Sequence, residues 1–175
     1  RVTTGAVAAE VGVTQAAIFR PFPTKAEMWV AVADHVAGLL TAAWAEALKE
    51  ANPPVERLKA LVGAQLDQIT AHPALPTLLF SRELNVENAA LRAAFRDRLA
   101  ALHGLLMQEV IAGQRDNALL RDVAAGDVAV LLTSLIQGLA IRWSLGARDF
   151  VLRDEGLRLL AVQLRLLGSG LVLAS

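Results

Sequence analysis

The opening two dozen residues constrain the architecture more than any other part of the chain. Thr3 and Thr4 are N-cap residue types, and Ala6-Val7-Ala8-Ala9-Glu10-Val11 is a short helix-compatible run. Gly12 follows, where the backbone can take positive φ and turn sharply. Val13 supplies an apolar anchor in the turn. Thr14 can cap a second helix, Gln15-Ala16-Ala17-Ile18-Phe19-Arg20. Two short helices joined by a glycine-containing turn make a helix-turn-helix unit, whose second helix fits the major groove of DNA.

Beyond this head the chain reads as all-α. Its hydrophobic fraction is 55% but only 5% is aromatic, and Ala and Leu dominate over β-branched runs. A helix is expected over 24–50, opened by a capping box between Thr24 and Glu27. Its stripe is Trp29, Val32, Val36, Leu39, Leu40, Ala43 and Ala47, and Asn52-Pro53-Pro54 ends it. The next, over 54–72, carries Val55, Leu58, Leu61, Val62, Leu66 and Ile69, with Gln65 on the same face. Pro73 and Pro76 open a short helix over 77–83. Another spans 89–112 with the stripe Leu91, Phe95, Leu99, Leu102, Leu106 and Val110, and a loop follows over 113–122. The last two helices, over 127–145 and 154–167, are apolar on more than one face and must be covered all round. A second subunit is the simplest cover; the alternative is a central position for both in a monomer.

Several function classes find no support. The absence of Cys removes disulfides and thiolate metal sites. His35, His72 and His103 fall on different helices, without the His-x-x-x-His or Glu-x-x-His spacing of a metal site. Gly168-Ser169-Gly170 sits in an apolar tail and is no phosphate loop, and Ser134 lacks a nucleophile-elbow context. The sequence therefore argues against an enzyme and implies neither metal nor cofactor. The apolar run 128–141 lies between Asp127 and Arg142 and contains Thr133, Ser134 and Gln137. It is shorter than the roughly 20 residues that cross a bilayer. It reads as a buried helix, so no membrane partner is expected. With no signal-peptide pattern, the expected location is cytoplasmic. The formal net charge is zero, whereas a nucleic-acid binder usually carries a basic surplus. The helix-turn-helix segment has Arg1, Arg20 and Lys25 against Glu10 and Glu27.

The string Val2-Thr3-Thr4, Val7-Ala8, Gly12-Val13-Thr14-Gln15-Ala16-Ala17-Ile18-Phe19-Arg20 and Phe22-Pro23-Thr24-Lys25 resembles the TetR family of bacterial transcriptional regulators. The resemblance implies a DNA-binding head over 1–27, preceded in the family by one further basic helix, and a helical effector-binding and dimerisation body over 28–175. The long helix from Thr24 would carry the allosteric signal between them. Leu135-Ile136-Gln137-Gly138-Leu139-Ala140-Ile141-Arg142-Trp143 resembles the penultimate helix of many family members, in which the last two helices pair with their twofold mates. Gly138 and Ala140 would permit close helix approach. The implied function is a transcriptional regulator, in the family's usual mode a repressor. It would bind a pseudo-palindromic double-stranded DNA operator as a homodimer through the last two helices, and a small effector would release it.

Carried onto this sequence, the reading helix starts at Thr14, which can cap it and bond a phosphate. Gln15 can bond adenine bidentately. Ala16 and Ala17 allow close backbone approach and a methyl contact with thymine. Arg20 could reach a guanine edge or a phosphate, and Lys25 is a phosphate clamp. Phe19 and Pro21 depart from the family, which often has Tyr at the first position and His or Tyr at the second. Pro21 also biases Arg20 away from helical angles, so the reading helix is expected to end early; with so few cations, modest non-specific affinity is expected. In the body, Trp44, Gln65, Phe80, Phe95, Gln137 and Trp143 are candidate lining for a hydrophobic or aromatic effector. Gln65 and Gln137 are the sharpest, since a buried amide must find partners; the other reading is that backbone or the dimer mate satisfies them. Arg82-Glu83 and Arg96-Asp97-Arg98 read as solvated faces. The alternatives are a helical small-ligand-binding protein with a degenerate DNA-reading head, or an apolar-surface adaptor with a heterologous partner.

Overall fold

The computed structural model describes residues 8–9, 14, 22, 24–50, 53–73, 88–146 and 148–168. Five helices occupy most of them: α1 (Lys25–Glu50), α2 (Pro54–Ala71), α3 (Ala89–Arg115), α4 (Ala125–Leu145) and α5 (Leu152–Leu166). No strand occurs among the described residues. The expected short helix over 77–83 lies outside them.

The Thr24 capping box forms as expected. The Glu27 N–H donates to Thr24 Oγ1 and the Thr24 N–H to Glu27 Oε2, each at 3.2 Å. The buried face of α1 is Met28, Trp29, Ala33, Ala37, Leu40 and Trp44, whereas Leu39, Ala43 and Ala47 are only half-buried. The stripe is thus rotated from the expected one. Ala33 and Ala37 carry little hydropathy, but their small size lets neighbouring helices close on that side.

Pro53 caps α2 and Pro54 occupies its first turn, where a missing N–H costs nothing. Leu58, Leu61, Val62 and Leu66 on α2 are wholly buried. The helix contacts α1, α3, α4 and α5 and is the axle of the body. Asn88 caps α3, its Oδ1 accepting from the Leu91 N–H at 2.9 Å. The same side chain donates from Nδ2 to the Ala26 carbonyl at 3.3 Å, tying the start of α3 to the start of α1.

The expected end of α3 needs correction. The helix runs past Gly113 to Arg115 and closes in a Schellman motif. The Ala118 N–H donates to the Gly113 carbonyl at 2.8 Å and the Asn117 N–H to Gln114 at 3.3 Å, with Asn117 at φ 57°. Gly113 serves packing here, not turning: a Cβ on it would lie 2.9 Å from Leu119 Cδ1.

On α4, Leu132, Ile136, Leu139 and Trp143 enter the core while Val130, Leu131, Ile141 and Leu145 face outward. Gly156 of α5 lies against Leu66 of α2, with no room for a side chain. By length and composition, 26–49 within α1 and all of α4 could cross a bilayer, yet each gives one face to the helical body. The described residues hold two apolar clusters. The larger joins parts of all five helices; the smaller groups Ala8, Met28, Trp29, Ala33, Leu91 and Phe95, with Phe22 packed against it.

Candidate effector cavity

The wall of the smaller cluster is also the wall of a cavity. A space of about 50 Å³ lies between α1, α2 and α3, with Val36, Leu40, Ile69, Leu99 and Leu102 as apolar lining. Trp44, Gln65 and Phe95, three of the six residues expected to line an effector site, meet there. The Trp44 Nε1–H donates to Gln65 Oε1 at 3.0 Å. An indole can only donate, so this bond fixes the carboxamide orientation and leaves the Gln65 Nε2 protons on offer.

The other candidates lie elsewhere. Trp143 packs in the larger cluster and donates its Nε1–H to the Phe150 carbonyl at 3.1 Å. Gln137 is half-buried on α4 and does not line the cavity. Phe80 is outside the described residues. Of the DNA-reading candidates, Thr14 is exposed. Gln15, Ala16, Ala17 and Arg20 lie outside the described residues, as does the side chain of Lys25, which opens α1.

Arg98 was expected on a solvated face; it is half-buried, its bond to the exposed Thr41 reaches solvent, and its side chain also borders the cavity. Its Nη1 donates to Thr41 Oγ1 at 3.2 Å, and that hydroxyl donates in turn to the Ala37 carbonyl at 2.9 Å. The signal was present in the spacing. Arg98 falls three residues after Phe95 and four before Leu102, on the apolar stripe itself.

A second polar feature also escaped the sequence. Glu109 of α3 is buried, and it accepts from Arg57 Nε at 2.8 Å and Nη2 at 3.0 Å. Arg57 Nη1 donates to the Leu48 carbonyl at 2.9 Å. One guanidinium therefore joins α2, α3 and the end of α1. The hydrogen-bonded Glu109 carboxylate holds it above its ordinary pKa.

Phe95 and Ala33 belong both to the cavity lining and to the cluster containing Ala8 and Phe22. Anything that moves this wall therefore moves the packing of two residues of the helix-turn-helix segment. A larger groove of about 440 Å³, bordered by Val55, Lys59, Leu119, Leu164 and Arg165, is open to solvent and has no such link.

Comparison with known proteins places these features in context. A family model described as BetI-type transcriptional repressor, C-terminal, matches residues 54–169, and one described as bacterial regulatory proteins, tetR family, matches residues 1–32. Nucleoid occlusion factor SlmA of Haemophilus influenzae is 32% identical over 102 residues, covering 57% of this chain and 47% of that protein. The chain thus spans about half the length of the curated relatives it matches. Solved structures share the fold at low identity. The ketosteroid transcriptional regulator KstR2 of Mycobacterium tuberculosis superposes with TM-score 0.72 at 17% identity, over 95% of this chain and 85% of that one. The regulator FadR of Bacillus subtilis, solved with stearoyl-CoA, gives 0.71 at 17%, over 91% and 87%. A transcriptional regulator of Saccharomonospora viridis, solved with choline, gives 0.69 at 22%, over 94% and 85%.

Proposed function

This chain belongs to the TetR family of bacterial regulatory proteins, and from that premise we propose that it is a DNA-binding repressor released by a small apolar effector. It acts as a homodimer on a pseudo-palindromic operator. The observation that carries the reading is the shared wall: Phe95 and Ala33 face the cavity on one side and the head residues Ala8 and Phe22 on the other.

Magnitudes give this wall a role. The cavity of about 50 Å³ exceeds the roughly 10–15 Å³ that one water needs but falls far short of the roughly 300 Å³ at the low end of ligand pockets. An effector must therefore separate α1 from α3 to be admitted. Both helices hold the head, through the Asn88–Ala26 bond and the Phe95 cluster. Effector binding then shifts the population of dimers toward head spacings that no longer fit the operator.

Dimerisation is supported by the outward faces of α4 and α5. Leu131, Ile141, Leu145 and Leu166 are exposed, Leu145 by 82%. On α4 they share a face with Ser134 and Gly138, and nothing stands within 4 Å of where a Gly138 Cβ would be. A twofold pairing there presents two reading helices to half-sites one or more turns of DNA apart. Neighbours of the same fold bind stearoyl-CoA and choline, so the fold does not choose the effector and this cavity's own residues must.

The test is footprinting of the full-length protein on DNA from its own upstream region, across a salt series. A protected pseudo-palindrome, weakened by Gln15→Ala or Arg20→Ala, is the expected result. No specific complex at low salt would instead favour a ligand-binding protein with a degenerate head.

A further inference from the structure

The polar part of the cavity wall consists of donors. Gln65 gives its Oε1 to Trp44, and its Nε2 protons have no partner among the described residues. Arg98 makes one hydrogen bond, to the neutral Thr41 hydroxyl, and no ion pair among the described residues. Its neighbour Asp97 stands 4.0 Å from Arg96 instead. A guanidinium cannot discharge by losing a proton, so it remains a full charge when a ligand strips water from it. A neutral ligand would leave that charge unpaired, and a cationic one would repel it. A carboxylate can meet the planar fork with two parallel, charge-assisted bonds.

The rest of the lining is apolar, with Phe95, Leu99, Leu102 and Ile69 beside the donors. We propose that the effector of this cavity is an apolar carboxylate, its anionic head bound by Arg98 and its apolar body lodged against Leu99, Leu102 and Ile69. Gln65 serves a second acceptor atom of the ligand. The inference rests on the effector-cavity reading and narrows it to one ligand chemistry.

The test is titration calorimetry on the full-length chain with three probes of equal length: decanoate, decan-1-ol and decyltrimethylammonium. Decanoate is expected to bind about ten- to a hundredfold more tightly than decan-1-ol, the range for hydrogen bonds to a charged group. Decyltrimethylammonium is expected to bind more weakly than either. Arg98→Met keeps an apolar stem and is expected to erase the preference for decanoate, with decan-1-ol binding as tightly as before or more so because no charge is stripped of water. Arg98→Lys keeps the charge without the fork and is expected to fall between. Equal binding of decanoate and decan-1-ol, or a preference that survives Arg98→Met, overturns the carboxylate assignment and leaves the cavity reading standing. No binding of any probe overturns both.

Discussion

Replacing Glu109 by Ala isolates the energetic role of the joint between α1, α2 and α3. The substitution removes two charge-assisted bonds, at 2.8 and 3.0 Å, while Arg57 keeps its other contacts, the Leu48 carbonyl among them. Breaking a fully buried pair costs about 3–5 kcal/mol, and an exposed pair contributes about 0–1 kcal/mol. The Glu109 side chain is 10% exposed and that of Arg57 30%, so the guanidinium keeps partial access to water. The expected cost is about 2–3 kcal/mol, below the fully buried case. With a slope of about 2 kcal/mol per molar urea, the unfolding midpoint should fall by about 1–1.5 M. The double variant Arg57→Met with Glu109→Leu removes both charges and fills the space, and should unfold within about 1 kcal/mol of the parent. Urea unfolding of the three proteins at one fixed concentration measures this, since subunit association shifts apparent stability. A midpoint loss under about 0.3 M for Glu109→Ala would refute the reasoning, placing the pair among exposed ones. So would a double variant that falls as far as the single one.

Three further outcomes are expected. Trp44→Phe breaks the bond to Gln65 and should cost about 1 kcal/mol more in thermal unfolding than Trp29→Phe, because the buried Trp29 Nε1 has no partner among the described residues to lose. Equal losses would contradict this. Leu145→Glu combined with Leu131→Glu should raise the dimer dissociation constant roughly thirtyfold or more in analytical ultracentrifugation, at about 2 kcal/mol for a lost anchor; an unchanged dimer would remove the α4 face from the interface. The Glu155 carboxyl is held below its ordinary value of 4.5 by the hydrogen bond from Arg158, with Arg142 adding to it. Its contribution is therefore complete above that value and lost as pH falls through the lowered one. Glu155→Gln should flatten the acid side of the stability profile, and an unaltered acid limb would assign that loss to other groups.

Most of the fold was legible because its punctuation is local. The Thr24–Glu27 box, the Pro53-Pro54 break and the α2 stripe each depend on residues a few positions apart. Misreadings arose where a distant neighbour decided the outcome. The loop was expected to begin at Gly113, but Leu119 folding back makes the missing side chain there a packing device, and the left-handed position falls at Asn117. The inward face of α1 was misjudged because Ala33 and Ala37 count for closeness of approach, which hydropathy does not weigh. Trp44, Gln65 and Phe95 border one cavity, whereas Gln137 and Trp143 sit on an equally apolar helix that packs elsewhere.

The charged residues show why the rest was hidden. Arg57 and Glu109 are 52 positions apart, and each taken singly resembles an ordinary surface residue. Arg98 sits in a run with Arg96 and Asp97, two residues that do face water, and only the helical phase separates it from them. Phase is also what gives the cavity its reach. On α3, Leu91 and Phe95 point into the head cluster, Phe95, Arg98, Leu99 and Leu102 into the cavity, and Leu106, Glu109 and Val110 into the body. One helix therefore runs over about five turns from the head cluster past the cavity to the Arg57 joint. On the function proposed above, a ligand at Arg98 acts between the Glu109 joint and the first turns of α3, where Asn88, Leu91 and Phe95 hold α1 and the head. On that same reading, the Arg57–Glu109 pair anchors α3 during release, and weakening it is expected to raise the effector concentration that frees operator DNA even where the body remains folded.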